Sequence, residues 1–204
     1  MEKSIVLASA SPRRRELVKG LGLDFTVEAP DVDERPLAGE EPEAHALRLA
    51  SLKARTVAGR LRERGVGEAL VVAADTVVAI DGRILGKPAD GSDAAAMLRR
   101  LSGRTHRVVT ALCVTDALSG RSIRRAVTSR VTMRPLSEAV IEEYLASGES
   151  MDKAGAYAVQ GLGARLVERV EGSYTNVVGL PVDELIETLA SLGLSVSPPR
   201  RRRR

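Results

Sequence analysis

The stretch Ile5-Val6-Leu7-Ala8-Ser9-Ala10-Ser11-Pro12-Arg13-Arg14-Arg15 determines how the fold begins. Its first four residues are aliphatic and partly β-branched, which predicts a buried strand. Ser11 followed by Pro12 predicts a helix start, because a serine hydroxyl caps free N–H groups and proline suits the first helical position. Gly20 or Gly22 is expected to end that helix. We therefore expect a strand, a turn of small residues and a helix.

Three arginines in the first turn of this helix oppose the helix dipole, which favours anions at its N-terminus. A polyphosphate held by backbone N–H groups and guanidinium groups would compensate for them. The alternative is a capped helix with solvated arginines. These residues alone do not decide between the two.

The composition predicts a single domain. Hydrophobic residues make up 44% of the 204 residues, enough for one core, whereas aromatic residues make up 2%. Base-stacking platforms for nucleic acid are therefore not expected. The net charge is +4, and removing the five arginines 200–204 leaves −1, so the body of the chain also lacks the charge of a DNA-binding domain. We expect a domain over residues 1–194 and a disordered basic tail over 195–204, which has no means of packing.

The few cysteine and histidine residues indicate the cellular compartment and which metal sites are possible. One cysteine, Cys113, and two histidines cannot assemble a zinc or iron–sulfur site. A lone thiol in an apolar run fits a reducing compartment. No apolar segment is long enough to span a membrane, and residues 1–20 lack a secretory signal. We therefore expect a cytoplasmic protein with no membrane partner.

Helix and strand signals mix without a regular repeat. A long helix is predicted over 42–64, preceded by an acidic loop with prolines over 29–41. Lys53 borders the apolar stripe of that helix, so it either extends along the edge to solvent, which the spacing favours, or projects into a cleft. The later predictions are strands at 107–118, 122–133 and 164–170, a turn at 172–176 and a helix at 181–192. This pattern predicts an α/β or α+β fold with an elongated mixed sheet.

Asp75 directly follows the apolar run Leu70–Ala74, which predicts a strand buried on both faces. A carboxylate in such a run is costly unless it has a partner or a chemical task, so Asp75 is a candidate functional residue. Gly86-Lys87-Pro88 is not a P-loop, because proline stands where serine or threonine is needed. The glycine-rich segment 152–163 lacks the third glycine of a dinucleotide fingerprint and is expected to line a ligand.

Eight segments, in order, resemble the Maf family of nucleoside triphosphate pyrophosphatases. They are LASASPRRRELVKGLG (7–22), VDE (32–34), RLASLKA (48–54), AADTVV (73–78), GKP (86–88), LSGRTHRVVTA (101–111), DKAGAYAVQG (152–161) and GSYTNVVGLP (172–181). The resemblance implies a mixed α/β fold like that of the inosine triphosphate pyrophosphatases, with two lobes around a cleft. It implies hydrolysis of a nucleoside triphosphate to the monophosphate and pyrophosphate with a divalent cation, Mg²⁺ or Mn²⁺. A homodimer is also usual for this resemblance.

The resemblance assigns roles to particular side chains. Asp75 is implied as the proton acceptor, and it could take a proton from water or hold a metal ion that lowers the pKa of that water. Glu34 is the candidate second metal ligand. The cations that would stabilise the pyrophosphate leaving group are Arg13, Arg14, Lys53 and Lys87, with backbone N–H groups from Ser9 through Ser11 to Arg13 cradling the phosphates.

Arg13, Thr76 and Gln160 resemble the branch that acts on dTTP and UTP, whereas the branch that acts on 7-methyl-GTP carries tryptophan at the first of these places. Thr76 and Gln160 can donate and accept hydrogen bonds with a uracil or thymine edge. Ala158 stands where glycine is usual, and its methyl group could narrow the pocket. The alternatives are a nucleotide-sensing regulator of cell division without turnover and a nucleic-acid binder. The presence of Asp75, Lys53 and Lys87 disfavours a sensor without turnover. The nearly neutral charge of residues 1–199 disfavours a nucleic-acid binder.

Overall fold

The computed structural model describes residues 3–196. These residues form seven strands: β1 (Ser4–Leu7), β2 (Phe25–Val27), β3 (Ala69–Ile80), β4 (Arg83–Leu85), β5 (Thr105–Asp116), β6 (Ser122–Met133) and β7 (Val167–Glu171). They also form six helices: α1 (Pro12–Gly20), α2 (Pro42–Glu63), α3 (Gly91–Leu101), α4 (Glu138–Ala146), α5 (Tyr174–Val178) and α6 (Val182–Ser191). Two short 3₁₀ segments lie at Ala154–Ala156 and Gly161–Leu166.

All seven strands belong to one mixed sheet with the order β2-β1-β3-β5-β6-β7, and β4 pairs with the far end of β3. The pairs β2–β1 and β1–β3 are parallel. The pairs formed by β3 with β4 and β5, by β5 with β6 and by β6 with β7 are antiparallel. The predicted mixed α/β fold with an elongated sheet is confirmed.

The first strand and helix form as expected. Ser11 is the N-cap of α1, and its Oγ accepts a hydrogen bond from the Arg14 amide at 3.4 Å. Pro12 is the first helical residue, and Gly20 is the last. At the end of β1, the Ala8 amide donates to the Val72 carbonyl at 2.8 Å. The turn of small residues between them therefore starts beside the middle of β3.

Helices cover both faces of β3, which explains its uninterrupted apolar run. On one face, β3 packs against α2 through Val71, Ala73 and Val77 of the strand and Ala50, Ala54 and Val57 of the helix. On the other face, Leu70, Val72 and Ala74 of β3 pack against Val18 of α1 and against Leu185 and Leu189 of α6. The far end of the sheet packs against α3 and α4 through Val78, Val108, Val131, Leu98 and Ile141.

One edge of β3 changes its partner halfway along. β1 pairs with residues 69–72, and β4 pairs with residues 78–80. No described strand pairs with residues 73–77 on that edge. The main chain of this stretch therefore has no strand partner on that edge among the described residues, and Asp75 lies in it.

Two local predictions were wrong. The strand expected at 164–170 begins only at Val167, because the residues before it form the 3₁₀ segment that ends at Leu166. The turn expected at 172–176 is instead the start of α5, because Ser173 Oγ caps the helix by accepting from the Asn176 amide at 3.2 Å.

The packed body extends past the expected boundary at residue 194. Leu194 and Val196 are partly buried against the cluster that contains α6. The remainder of the predicted tail, residues 197–204, lies outside the described residues. Within residues 3–196, none of the helices has the combination of length and apolar character that a bilayer span needs.

Candidate active site

A cavity of about 540 Å³ opens beside the unpaired edge of β3. This volume is within the range of small-molecule sites. Residues from many parts of the chain line it. They come from the β1–α1 turn (8–14), part of the acidic loop (29–36), α2, the middle of β3, the segment 84–87, the glycine-rich segment 152–159 and residues 177–179. The structure thus gathers segments that are far apart in the sequence.

Lys53 lies between two carboxylates in this wall. Its Nζ donates to Asp75 Oδ1 at 2.7 Å and lies 2.6 Å from Glu34 Oε1. Lys53 and Asp75 are each only 7% exposed. The interpretation of Lys53 as an edge lysine is therefore wrong, because the face of α2 on which it lies, with His45 and Leu49 at intervals of four, forms part of the cavity wall.

The side chain of Glu34 is ionised in this arrangement. Partial burial raises the pKa of Glu34, but the hydrogen bond and charge of Lys53 outweigh that effect, with further help from Lys87 and Arg14. The pKa of Glu34 is therefore held below its ordinary value. Lys87 also lines the cavity.

Arg14 is engaged with the protein itself. Its Nε donates to the Gly179 carbonyl at 2.7 Å, its Nη1 to Ser9 Oγ at 3.3 Å and its Nη2 to Thr76 Oγ1 at 3.0 Å. Burial lowers the pKa of Arg14, although Asp75 partly opposes this effect. One guanidinium group thus joins the β1–α1 turn, β3 and the end of α5. Arg13 lines the cavity as well, and its side chain has no ion pair within residues 3–196.

Only part of the expected amide cradle is available. The Ser11 amide donates to Ser9 Oγ at 3.2 Å, and Pro12 has no N–H group. The amides of Ser9, Ala10 and Arg13 have no acceptor in the part of the chain that the structure describes. These three groups can still face an anion beside the arginine-bearing turn.

Thr76 points away from Asp75, because successive side chains of a strand point to opposite faces. Thr110 Oγ1 donates its single proton to the Asn176 carbonyl at 2.8 Å. Thr76 Oγ1, 2.9 Å from Thr110 Oγ1, must therefore donate to Thr110 while it accepts from Arg14. The Thr76 hydroxyl can therefore only accept a hydrogen bond from a ligand, whereas from the sequence we expected it both to donate and to accept.

Thr110 and Asn176 were not identified from the sequence. Asn176 is fully buried, and its Nδ2 donates to the Val108 carbonyl at 3.1 Å and to Ser129 Oγ at 2.8 Å. The available signals were a threonine within the apolar run of β5 and Ser173, a helix-capping residue type, three positions before Asn176. Polar residues buried in this way need partners, and here they anchor the wall behind Thr76.

Gln160 is not part of the described cavity wall, although its neighbours Tyr157, Ala158 and Val159 are. It precedes the 3₁₀ segment at Gly161 and is half-buried. The loop is fixed on both sides of it, since the Ala158 amide donates to Tyr144 Oη at 3.1 Å and the Leu162 amide to Glu149 Oε1 at 3.3 Å. The other candidate site residues, Ser9, Ser11, Arg13, Arg14, Glu34, Lys53, Asp75, Thr76 and Lys87, all line the cavity.

The donor set around Asp75 suits a divalent cation that arrives with a polyphosphate. No cluster of three or more His, Cys, Asp or Glu side chains that could hold a metal occurs among the described residues. Asp75 and Glu34 nevertheless bind one common cation, the Lys53 ammonium group. Mg²⁺ is commonly held by one or two carboxylates together with substrate phosphates and water, so these two carboxylates fit the group.

Comparisons with known proteins identify the family of the chain. A family model described as Maf-like protein matches residues 4–192. The chain is 48% identical over 192 residues to a dTTP/UTP pyrophosphatase of Syntrophotalea carbinolica, which covers 94% of this chain and 86% of the relative. It is 49% identical over 194 residues to a dTTP/UTP pyrophosphatase of Geobacter sulfurreducens, covering 95% and 99%. Among solved structures it is similar to protein VC0702 from Vibrio cholerae, with a TM-score of 0.41 and 14% identity over 94% of this chain and 96% of that one.

Proposed function

Because the chain belongs to the Maf-like protein family, we propose that it hydrolyses nucleoside triphosphates, preferably dTTP and UTP, to the monophosphate and pyrophosphate. The names of its relatives support this substrate class. The observation that carries the proposal is the buried Lys53 ammonium group, held between Asp75 and Glu34 in a cavity that Arg13 and Lys87 also line. Polyphosphate hydrolysis needs this combination of cations and a carboxylate.

The cations bind the triphosphate and stabilise its departing end. Arg13, Lys87 and Lys53 contact phosphate oxygens and neutralise the charge that develops on pyrophosphate. The amides of Ser9, Ala10 and Arg13 add neutral donors. Arg14 contributes indirectly, because its hydrogen bonds to Ser9 and Thr76 hold the β1–α1 turn against β3.

Asp75 acts on the attacking water. A bond forms between the water oxygen and the α-phosphorus, and the bond from that phosphorus to the oxygen bridging to the β-phosphate breaks. The bridging oxygen leaves with the electron pair as part of pyrophosphate, and the proton of the water passes to Asp75. A divalent cation, Mg²⁺ or Mn²⁺, held by Asp75 and Glu34, would neutralise phosphate oxygens and lower the pKa of bound water.

Thr76 contributes to the choice of base. Its hydroxyl can accept but not donate, so it is unsuited to a phosphate oxygen and suited to an N–H group, such as the ring N–H of uracil or thymine. Gln160 remains a proposed base contact on the basis of the family resemblance, and its neighbours Ala158 and Val159 line the cavity. The substrate class and the buried thiol of Cys113 support a cytoplasmic location. A homodimer also remains a proposal.

A nucleotide panel tests the proposal. The full-length protein is incubated with Mg²⁺ and dTTP, UTP, CTP, ATP, GTP or pyrimidine triphosphates modified at C5, and products are separated by chromatography. We expect monophosphate and pyrophosphate, with kcat/KM for dTTP and UTP about tenfold or more above the purine nucleotides. Release of orthophosphate would contradict the proposed bond cleavage. Binding of nucleotides without any product would favour the sensor alternative.

A further inference from the structure

The loop that carries Glu34 needs an anchor. The chain from the end of β2 at Val27 to the start of α2 at Pro42 contains no helix or strand. The Glu34 side chain is 48% exposed, so its surroundings do little to fix it. Its contact with Lys53 therefore depends on whatever holds the loop against α2.

Glu40 supplies a buried attachment point near the end of this loop. Its side chain is 8% exposed and accepts from Arg48 Nε at 2.6 Å, from Arg48 Nη2 at 2.7 Å, from His45 Nδ1 at 2.8 Å and from the Leu37 amide at 3.1 Å. Hydrogen bonds from Arg48, aided by the Leu37 amide and His45, hold the pKa of Glu40 well below its usual range despite its burial. A carboxylate with four donors, two of them from one guanidinium group, is a strong and directional contact.

Arg48 extends this contact to the neighbour of Glu34. Its Nη2 also donates to the Arg35 carbonyl at 3.1 Å. One side chain of α2 therefore holds both Glu40 and the carbonyl of the residue that follows Glu34. Lys53, five positions further along α2, receives the Glu34 carboxylate.

We propose that the Glu40–Arg48 pair is a positioning device that holds Glu34 against Lys53, the partner that it shares with Asp75. Glu40 acts through Glu34 and contacts no substrate. The kinetic readout rests on the proposed function, whereas the anchoring of the loop can be measured without any nucleotide. Outer-shell partners of this kind typically change activity or metal affinity by about 10–100-fold when removed.

A double-mutant cycle tests this proposal. We expect Glu40→Gln to lower kcat/KM for UTP by about 10–100-fold, and Glu34→Gln to lower it at least as much. The double variant should match Glu34→Gln to within about twofold, because Glu40 then has nothing left to position. Losses that multiply in the double variant would overturn the proposal. Arg48→Lys keeps the charge but loses the planar fork, and it should reproduce the Glu40→Gln defect.

Glu138→Gln is the matched control, since Glu138 accepts two hydrogen bonds from Arg99, at 2.8 and 2.7 Å, on an exposed surface away from the cavity. Its kcat/KM should equal that of the wild type. Backbone amide exchange gives a second readout: amides of residues 33–41 should exchange faster in Glu40→Gln, while those of β3 should not. Unchanged exchange in the loop would overturn the proposal. A wild-type protein that hydrolyses no nucleotide would refute the proposed function and leave this exchange test standing.

Discussion

At the scale of single residues, a chain of hydroxyl groups gives one side of the cavity a fixed hydrogen-bond polarity. The main-chain carbonyl of Asn176 accepts a hydrogen bond from the Thr110 hydroxyl, which in turn accepts one from the Thr76 hydroxyl. Arg14 occupies one acceptor position of Thr76. Because a carbonyl can only accept, the direction of the whole chain is determined at its buried end.

Thr110→Val tests this chain. Valine has nearly the same shape, but the Asn176 carbonyl and the Thr76 hydroxyl would each lose a partner. We expect the free energy of unfolding, measured in urea, to fall by about 1–3 kcal/mol. Thr76 could then donate, so the preference for UTP over CTP, whose ring N3 is an acceptor, should narrow.

The matched control is Thr115→Val on the same strand. Thr115 is equally buried, but its hydroxyl pairs with Ser122 near the end of β5, away from the cavity. It should leave the UTP to CTP ratio unchanged. An unchanged ratio in Thr110→Val as well would contradict the polarity assigned to Thr76.

Local sequence reasoning selected Asp75, which lines the cavity, whereas helical spacing placed Lys53 at a solvent edge and only the family resemblance placed it in the site. The reason for this difference is physical. A carboxylate after an apolar run is unusual by itself, so Asp75 could be recognised locally. A lysine beside a helical apolar stripe is usually an edge residue, and what distinguishes Lys53 is a partner 22 positions away on another element. Thr110 was not identified from the sequence for the same reason, since its hydrogen-bond acceptor, the main-chain carbonyl of Asn176, lies 66 positions away.

At the scale of secondary-structure elements, the cavity follows from strand pairing. β3 is twelve residues long, yet its edge is shared by a four-residue strand and a three-residue strand. The uncovered middle of that edge is where Asp75 and Thr76 meet the cavity. The length of β3 could be partly predicted from its apolar run, but the gap could not, because it depends on where two other strands stop.

The end of β5 should make stability sensitive to acid. Asp116 accepts from Lys3 Nζ at 2.6 Å and from the amides of Leu118 and Ser119 at 3.1 and 2.9 Å. The hydrogen bond from Lys3, aided by the Ser119 amide, lowers the pKa of Asp116 from 3.8 to about 2. Since the folded state has the lower pKa, this contribution is complete above about pH 4 and is lost as the pH falls towards 2.

We therefore expect Asp116→Asn to flatten the loss of stability between about pH 4 and pH 2, measured from urea midpoints at each pH. Asp24→Asn, at an exposed position just before β2, controls for the removal of one negative charge. An acid slope in Asp116→Asn as steep as that of the wild type would show that another group controls this range.

At the scale of the whole molecule, the mixed fold was predictable because strand and helix signals are strong and local along most of the chain. The extent of the packed body was less predictable. Val196 lies in the predicted tail, yet it packs partly, with Leu194, against the cluster that includes Ile5 and Leu189. Contacts between the two ends of a chain are not visible in either end alone.

Truncation separates the packed residues from the basic ones. A chain that ends after Val196 should keep the wild-type Tm and kcat/KM, because the sequence removed, with two prolines and five arginines, offers little apolar area for burial. A chain that ends after Gly193 loses two apolar contacts, and its Tm should fall by roughly 2–4 °C for each kcal/mol lost. A drop in kcat/KM on removal of residues 197–204 alone would show that the arginines contribute to function.

The measurement that tests the central claim most directly is turnover by Asp75→Asn. Asparagine keeps the shape of the side chain but cannot take a proton and binds metal poorly. With dTTP and Mg²⁺, we expect kcat to fall by about 10²–10⁴ while circular dichroism and Tm show a folded protein. Asp81→Asn, at the exposed hairpin that follows the same strand, should behave like the wild type. A kcat of Asp75→Asn within about threefold of the wild type would contradict the assignment of this carboxylate to the hydrolytic step.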